Sequence, residues 1–183
     1  MYRGWYTHSL SLKLVTIVSK ESRIVNIVNV DQGNMQVYLN LSQPYEAEFS
    51  VYTKKVPDEN GLFFRDTLIG GNVRGFLLYI DNAPAGLAAI AETSQGHYEV
   101  CDFYVVPVFR QNKMGQQFAH QLFTMMPGDW ESKQIEGAVH AIAFWRRAIG
   151  AFTHEHYVED IFQDPYWGPV TRQCFSTLQS RAH

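Results

Sequence analysis

Apolar residues recur along this chain with two different periods, and the order in which the periods change outlines the fold. Leu10, Leu12 and Leu14 alternate with polar residues and run into Val15-Thr16-Ile17-Val18, the pattern of a strand half buried at first and fully buried later. Two readings stand for Arg23 to Val30. Ser19 and Glu21-Ser22 can cap a short helix there, whereas the β-branched Ile24, Val25, Ile27 and Val28 suit a strand. Met35, Tyr38, Leu39 and Leu41 give Asn34 to Leu41 a partial helical face, and Pro44 is expected to end or kink that helix. Tyr45 to Phe49 resumes as a turn of helix or a structured corner.

Val56 to Gly61 is a turn, because Pro57 fixes φ and Asn60-Gly61 accepts positive φ; Gly70-Gly71-Asn72 marks another. A hairpin is predicted next, with strands Phe76 to Ile80 and Ala85 to Ala91 about a turn at Asp81-Asn82-Ala83-Pro84. Gln95-Gly96 turns into a further strand, Tyr98 to Val106. Met114, Phe118, Leu122 and Met125 then have helical spacing up to the stop at Met126-Pro127-Gly128-Asp129. Trp130 to Ile135 reads as a strand. Ala138, Ala141, Ile142, Trp145, Ala148 and Ile149 form a helical stripe ended by Gly150, and strands at Tyr157 to Phe162 and Val170 to Leu178 complete the chain. The predicted class is α+β: one domain over residues 1–183, with a mixed, mostly antiparallel central sheet flanked by helices. Residues 61–178 carry its core, and residues 1–60 form an amino-terminal part of less regular pattern.

Composition narrows the function classes. A length of 183 residues, 46% of them hydrophobic and 18% charged, gives a core and excludes disorder. Fifteen basic residues against 18 acidic ones oppose a broad nucleic-acid or anionic-membrane surface. No apolar run approaches the roughly 20 residues of a membrane-spanning helix. Lys13 and several hydroxyl residues interrupt the apolar segment near the start and no clean cleavage site follows, so a cytoplasmic address is expected. Cys101 and Cys174 are far apart and read as two free thiols of a reducing compartment.

The stretch Val105 to Ala119 carries the clearest chemistry. A basic turn containing glycine joins a strand to a helix, so backbone N–H groups gather at the positive end of the helix dipole and can seat a phosphate or pyrophosphate. His154-Glu155-His156 places two imidazoles on one face of an expected strand; no third ligand has suitable spacing, and no metal is expected. His97, His120 and His140 read as surface or satisfied polar groups. Arg146-Arg147 with Lys133 is either a local basic patch or a solvated face.

Pro107-Val108-Phe109-Arg110-Gln111-Asn112-Lys113-Met114-Gly115 resembles the acetyl-CoA-binding turn of the GNAT N-acetyltransferases, whose pattern is Arg/Gln-x-x-Gly-x-Gly/Ala. Arg110 and Gly115 keep the pattern and Lys113 replaces the middle glycine. Ala141-Ile142-Ala143-Phe144-Trp145 is similar to the family's Asn-x-x-Ala-x-x-Phe-Tyr/Trp helix, with Ala138 in place of the Asn. The resemblance covers Gly61 to Phe175, and Met1 to Asn60 match in outline.

The resemblance implies a pocket opened by splaying of two neighbouring strands, with CoA in the gap. The backbone of Phe103, Tyr104 and Val105 would pair with the pantetheine amides. The pyrophosphate would rest on Arg110, Gln111, Asn112, Lys113, Met114 and Gly115, with Gln116 opening the helix. Glu99 and Asp102 lie in opposite phase along the strand, so only one is expected to face the cleft. Asp102 is the favoured general base, directly or through water, with Glu99 in reserve. Trp145 stands where a Tyr often supplies the acid; Tyr104, Tyr157 and Tyr166 remain unranked substitutes. The expected activity is direct acetyl transfer from acetyl-CoA to a primary amine of a small molecule, or of a peptide, and a homodimer is an admissible assembly. A non-catalytic CoA-binding module is the alternative. An acetylating toxin acting on aminoacyl-tRNA would need a positive groove, which the acidic total opposes.

Overall fold

The computed structural model describes residues 15–18, 23–110 and 112–178. The strands are β1 (Val15–Val18), β2 (Ile24–Asn29), β3 (Val73–Ile80), β4 (Ala83–Ser94), β5 (His97–Val105), β6 (Asp129–Ile135), β7 (Val158–Asp164) and β8 (Gly168–Ser176). The helices are α1 (Met35–Thr53), α2 (Met114–Met125) and α3 (Val139–Thr153). Among the described residues the strands form one sheet in the order β1-β2-β3-β4-β5-β6-β8-β7, antiparallel throughout except for β5 against β6. The predicted first strand from Leu10 is described only over β1, and its remainder lies outside the described residues.

Alternation along β3 shows how the layers arise. Phe76, Leu78 and Ile80 enter the core beneath α2 and α3, while Leu77 faces α1, packing with Tyr38, Leu87 and Tyr104. Both sets are buried, which is why this strand is almost continuously apolar. The larger core adds Val100 of β5, Phe118, Leu122 and Phe123 of α2, Trp130 of β6, Ile149 of α3 and Phe175 of β8.

One open alternative is resolved and three expectations are corrected. Ile24 to Asn29 is a strand, paired to both β1 and β3, so its β-branched residues decide against the helix. Pro44 does not end α1: it lies on the exposed side of the helix, as does Asn40, whose carbonyl it leaves without an intrahelical donor. Gly150 lies inside α3, and the helix ends four residues later at His154, which is left-handed with φ 53°. The Glu155 carboxylate occupies the space beside Gly150, where an added Cβ would stand 2.5 Å from its Oε1 and would displace that flexible side-chain end. His154 and Glu155 consequently belong to a turn with φ of 53° and 65°, not to a strand.

The β3–β4 connection is tighter than expected. Asp81 and Asn82, with φ of 50° and 66°, form a two-residue turn of the type that matches strand twist, and β4 resumes at Ala83. Pro84 is tolerated within β4 beside the register shift at Leu78/Tyr79.

Candidate active site

β5 and β6 pair over only four positions, from His97–Asp129 to Val100–Ser132. Beyond them β5 stays with β4 as far as Val105, while β6 stays with β8 as far as Ile135. Each strand follows its own antiparallel partner, and a gap opens between them. Val106 N–H donates to Ala85 O at 2.8 Å, which fixes the parity of the β4–β5 ladder. By that alternation Tyr104 exchanges bonds with Leu87, whereas Phe103 and Val105 turn their backbone groups toward the gap. Of the three residues expected to pair with pantetheine, two have the required orientation, and Tyr104 directs its backbone to β4.

The turn after β5 closes the same end of the gap. A single 3₁₀ turn, Pro107–Phe109, leads through Arg110 to Asn112 and Lys113, both left-handed with φ of 55° and 59°. Gln111 lies outside the described residues. α2 starts at Met114, so the first N–H groups of the helix, at Met114, Gly115 and Gln116, have no intrahelical acceptors. Lys113 holds the conformation that the glycine of the resembled pattern would adopt freely, and it adds an exposed cation at the helix start. Met114 is buried in the core. Gly115 serves helix packing: an added Cβ would lie 3.1 Å from Phe144 Cε2 and 3.8 Å from Val105 Cγ2.

Arg110 points elsewhere than at the helix start. Its Nε donates to Val105 O at 2.7 Å, and its Nη2 donates to both carboxylate oxygens of Glu48 on α1, at 2.7 and 2.9 Å. The guanidinium lies over the Tyr104 ring, 5.4 Å from its centre, and the Tyr104 hydroxyl donates to Glu48 at 3.4 Å. Sequence reading missed Glu48, since nothing in a helical pattern announces a partner 62 residues away.

Glu99 and Asp102 face the same side of the sheet, contrary to the expected opposite phase. Ala89 pairs with Asp102 and Ile90 with Val100, so Cys101 has no opposite number and bulges from the ladder. The bulge resets the alternation and brings both carboxylates to the α1 face. Asp102 accepts hydrogen bonds from Tyr38 Oη at 3.3 Å and Thr67 Oγ1 at 3.1 Å. Burial pushes its carboxyl up to about 6, against the Thr67, Tyr45 and Tyr38 hydroxyls that favour its charged form, while the nearby Glu46 charge adds to the rise. Burial likewise drives the Cys101 thiol up to about 12, with Glu99 and Asp102 reinforcing it, so this thiol is not a nucleophile at neutral pH.

Glu99 is committed elsewhere. Lys133 Nζ lies 2.8 Å from Glu99, 3.3 Å from Glu131 and 3.3 Å from Asp164, and Arg172 joins Asp160 and Glu131. A cavity of about 390 Å³ beside Glu99, lined also by Tyr98, Trp130, Glu131 and Cys174, lies at the paired foot of β5 and β6, away from the gap. The basic patch considered for Arg146 and Lys133 does not form: Arg146 is paired with Glu159 at 2.6 Å, and Lys133 is surrounded by carboxylates.

Trp145 is a core residue, with its ring 5.0 Å from Phe103 and 5.1 Å from Phe144. Of the substitute acids, Tyr104 is tied to Glu48, Tyr157 packs against the core below α3, and Tyr166 is exposed on Trp167. His120 bonds the Ala148 carbonyl at 2.7 Å and links α2 to α3. Among the described residues no three metal-ligating side chains converge, and no helix is long and apolar enough to cross a membrane.

Sheet order, the splayed central pair and the strand–turn–helix unit together define the GNAT N-acetyltransferase fold, and comparison with solved structures agrees. A ribosomal L7/L12 alpha-N-protein acetyltransferase in complex with coenzyme A matches over 90% of this chain and 98% of its own, with a TM-score of 0.60 and 12% identity. Spermidine N-acetyltransferase from Vibrio cholerae matches over 86% of this chain and 96% of its own, with a TM-score of 0.55 and 10% identity. A GNAT-family structure from Bacteroides thetaiotaomicron covers 85% of this chain and 89% of its own, with a TM-score of 0.56 and 16% identity. No protein-family model and no curated protein sequence matches. The likeness is one of fold.

Proposed function

We propose that this protein is an acetyl-CoA-dependent N-acetyltransferase that passes acetyl directly to a primary amine, with a small-molecule amine favoured over a peptide amine. One observation carries the reading: β5 loses its neighbour after Val100, and its free edge ends beside the two left-handed residues that start α2. A free strand edge suits an amide-bearing chain, and a helix start suits a pyrophosphate. Phe103 and Val105 would hold the pantetheine. Met114, Gly115 and Gln116 would hold the pyrophosphate through backbone N–H groups, with charge from Lys113. The coenzyme supplies the thioester as cosubstrate.

The chain's contribution to the chemistry is positioning and proton acceptance. Asp102 is the base in this reading. Its carboxyl, raised to about 6, is mostly ionised at neutral pH and can take the proton that the amine loses, directly or through water. Glu99, held by Lys133, has no such freedom. Trp145 stands where a phenol would serve as acid, so in this reading the thiolate leaves without a proton from that helix and takes one from water.

Calorimetry with acetyl-CoA, followed by a free-thiol assay over a panel of amines, tests the proposal. Acetyl-CoA binding with thiol release that depends on a primary amine is the expected result. Binding without release across the panel selects the alternative, a non-catalytic CoA-binding module, which the departures from the resembled pattern at Lys113, Ala138 and Trp145 motivate. Absence of binding overturns both readings.

A further inference from the structure

Arg110 is the side chain of the turn best suited to a pyrophosphate, and it is already engaged on both sides. Its Nε covers Val105 O, which alternation of the ladder turns toward the gap, and its Nη2 rests on Glu48 of α1. Tyr104, beneath the guanidinium and bonded to the same Glu48, supports this position. Arg110 and Glu48 are each about half exposed, at 46% and 47%, so the pair is screened by solvent and weak. A pyrophosphate seated on the first N–H groups of α2 offers more charge and more acceptor oxygens than one carboxylate, and it outcompetes Glu48 for a planar fork of donors.

We propose that Glu48 is a positioning residue that parks Arg110 across Val105 O in the free protein, and that CoA pyrophosphate draws the guanidinium away and uncovers that carbonyl for the pantetheine. This rests on the reading of the gap as a CoA site. The exchange links two parts of the molecule. α1 also carries Tyr38, which donates to Asp102, so the residue that parks Arg110 and the one that bonds the base lie on one helix. Because the parked contact must break, Glu48 weakens coenzyme binding in the native protein.

Acetyl-CoA affinity measured at low salt for the wild type, Glu48→Gln, Arg110→Met and the double variant tests this. Glu48→Gln is expected to bind about two- to fivefold more tightly, the range set by an exposed ion pair. Arg110→Met is expected to bind more weakly, and adding Glu48→Gln to it is expected to change nothing further. An equal gain from Glu48→Gln in the Arg110→Met background would show simple charge repulsion and overturn the proposal. So would wild-type affinity in Glu48→Gln, which is the outcome if the pair merely braces α1. Failure of the wild type to bind acetyl-CoA would remove the CoA reading itself, whereas wild-type binding with a silent Glu48→Gln removes only the parking role.

Discussion

Glu99 and Asp102 stand three positions apart on β5 and face the same side of the sheet, because Cys101 bulges out of the ladder between them. Simple alternation would send one carboxylate into the α2–α3 core. The bulge falls just past Val100, the last β5 residue paired to β6, so the strand changes phase where the gap begins. It places Asp102 among the hydroxyls of Tyr38 and Thr67 and leaves Glu99 to the Lys133 network.

Asp102→Asn tests the assignment of the base. Wild-type turnover is expected to rise as pH increases through about 6, and the variant is expected to lose that limb and about 10²-fold in rate, with acetyl-CoA affinity unchanged. Superimposable pH–rate profiles would remove Asp102 from the chemistry.

The same substitution has a stability signature of known sign. A carboxyl whose folded value lies above its unfolded one keeps its proton longer when folded. Its contribution therefore turns unfavourable as pH rises from about 4 through about 6. Asp102→Asn removes that penalty, so its stability relative to wild type is expected to improve between pH 4 and pH 8. The change is on the order of 1–3 kcal/mol, and thermal melts at the two pH values measure it.

Lys113 holds φ 59° without being glycine. Lys113→Gly is expected to relieve up to about 1 kcal/mol of backbone strain, a rise of roughly 2–4 °C in melting temperature for a chain of this size. It is also expected to weaken acetyl-CoA binding and flatten its salt dependence, since a cation beside the pyrophosphate is lost. Calorimetry at two salt concentrations separates the two effects.

Trp145→Phe should retain turnover to within a few-fold while lowering stability by about 1–2 kcal/mol, because the indole is packed among Phe103, Phe144 and Phe123. Loss of turnover with intact coenzyme affinity would instead give the indole a part in catalysis.

Gly86 faces the gap-lining end of β5 across the β4–β5 ladder, and an added Cβ would stand 2.5 Å from Tyr104 O. A backbone oxygen cannot turn aside as a flexible side-chain end can. Gly86→Ala is expected to cost about 1–3 kcal/mol and to shift the backbone of Phe103 to Val105, reducing coenzyme affinity as well as the denaturation midpoint.

Periodicity was enough to find β3 to β8, α2 and α3 to within a few residues, because most of them have one or two buried faces and clear turn residues around them. It failed where a neighbour supplied the compensation. Pro44 sits within a helix on its exposed side, where the carbonyl it frees belongs to an exposed residue, and Gly150 sits within one beside the Glu155 carboxylate. The site was legible as a turn and a strand end. The partners of Asp102, Tyr38 and Thr67, are 64 and 35 residues distant, and that of Arg110 is 62. Such separations leave no local pattern to read. The bulge at Cys101 was equally hidden, since inserting one residue into a ladder requires no glycine or proline there.

The insertion of β8 between β6 and β7 has a consequence for how the chain is made. β2 to β5 pair in sequence order, apart from the excursion through α1, and can close on short loops as they emerge. β6 has only a four-residue contact with β5 to hold it until everything from Glu136 to Trp167 has been synthesised. The nascent protein therefore passes through a stage in which the edge of β6 is open and the apolar stripe of α3 lacks much of its floor. An open strand edge and an uncovered apolar stripe favour misassociation until β8 closes on β6.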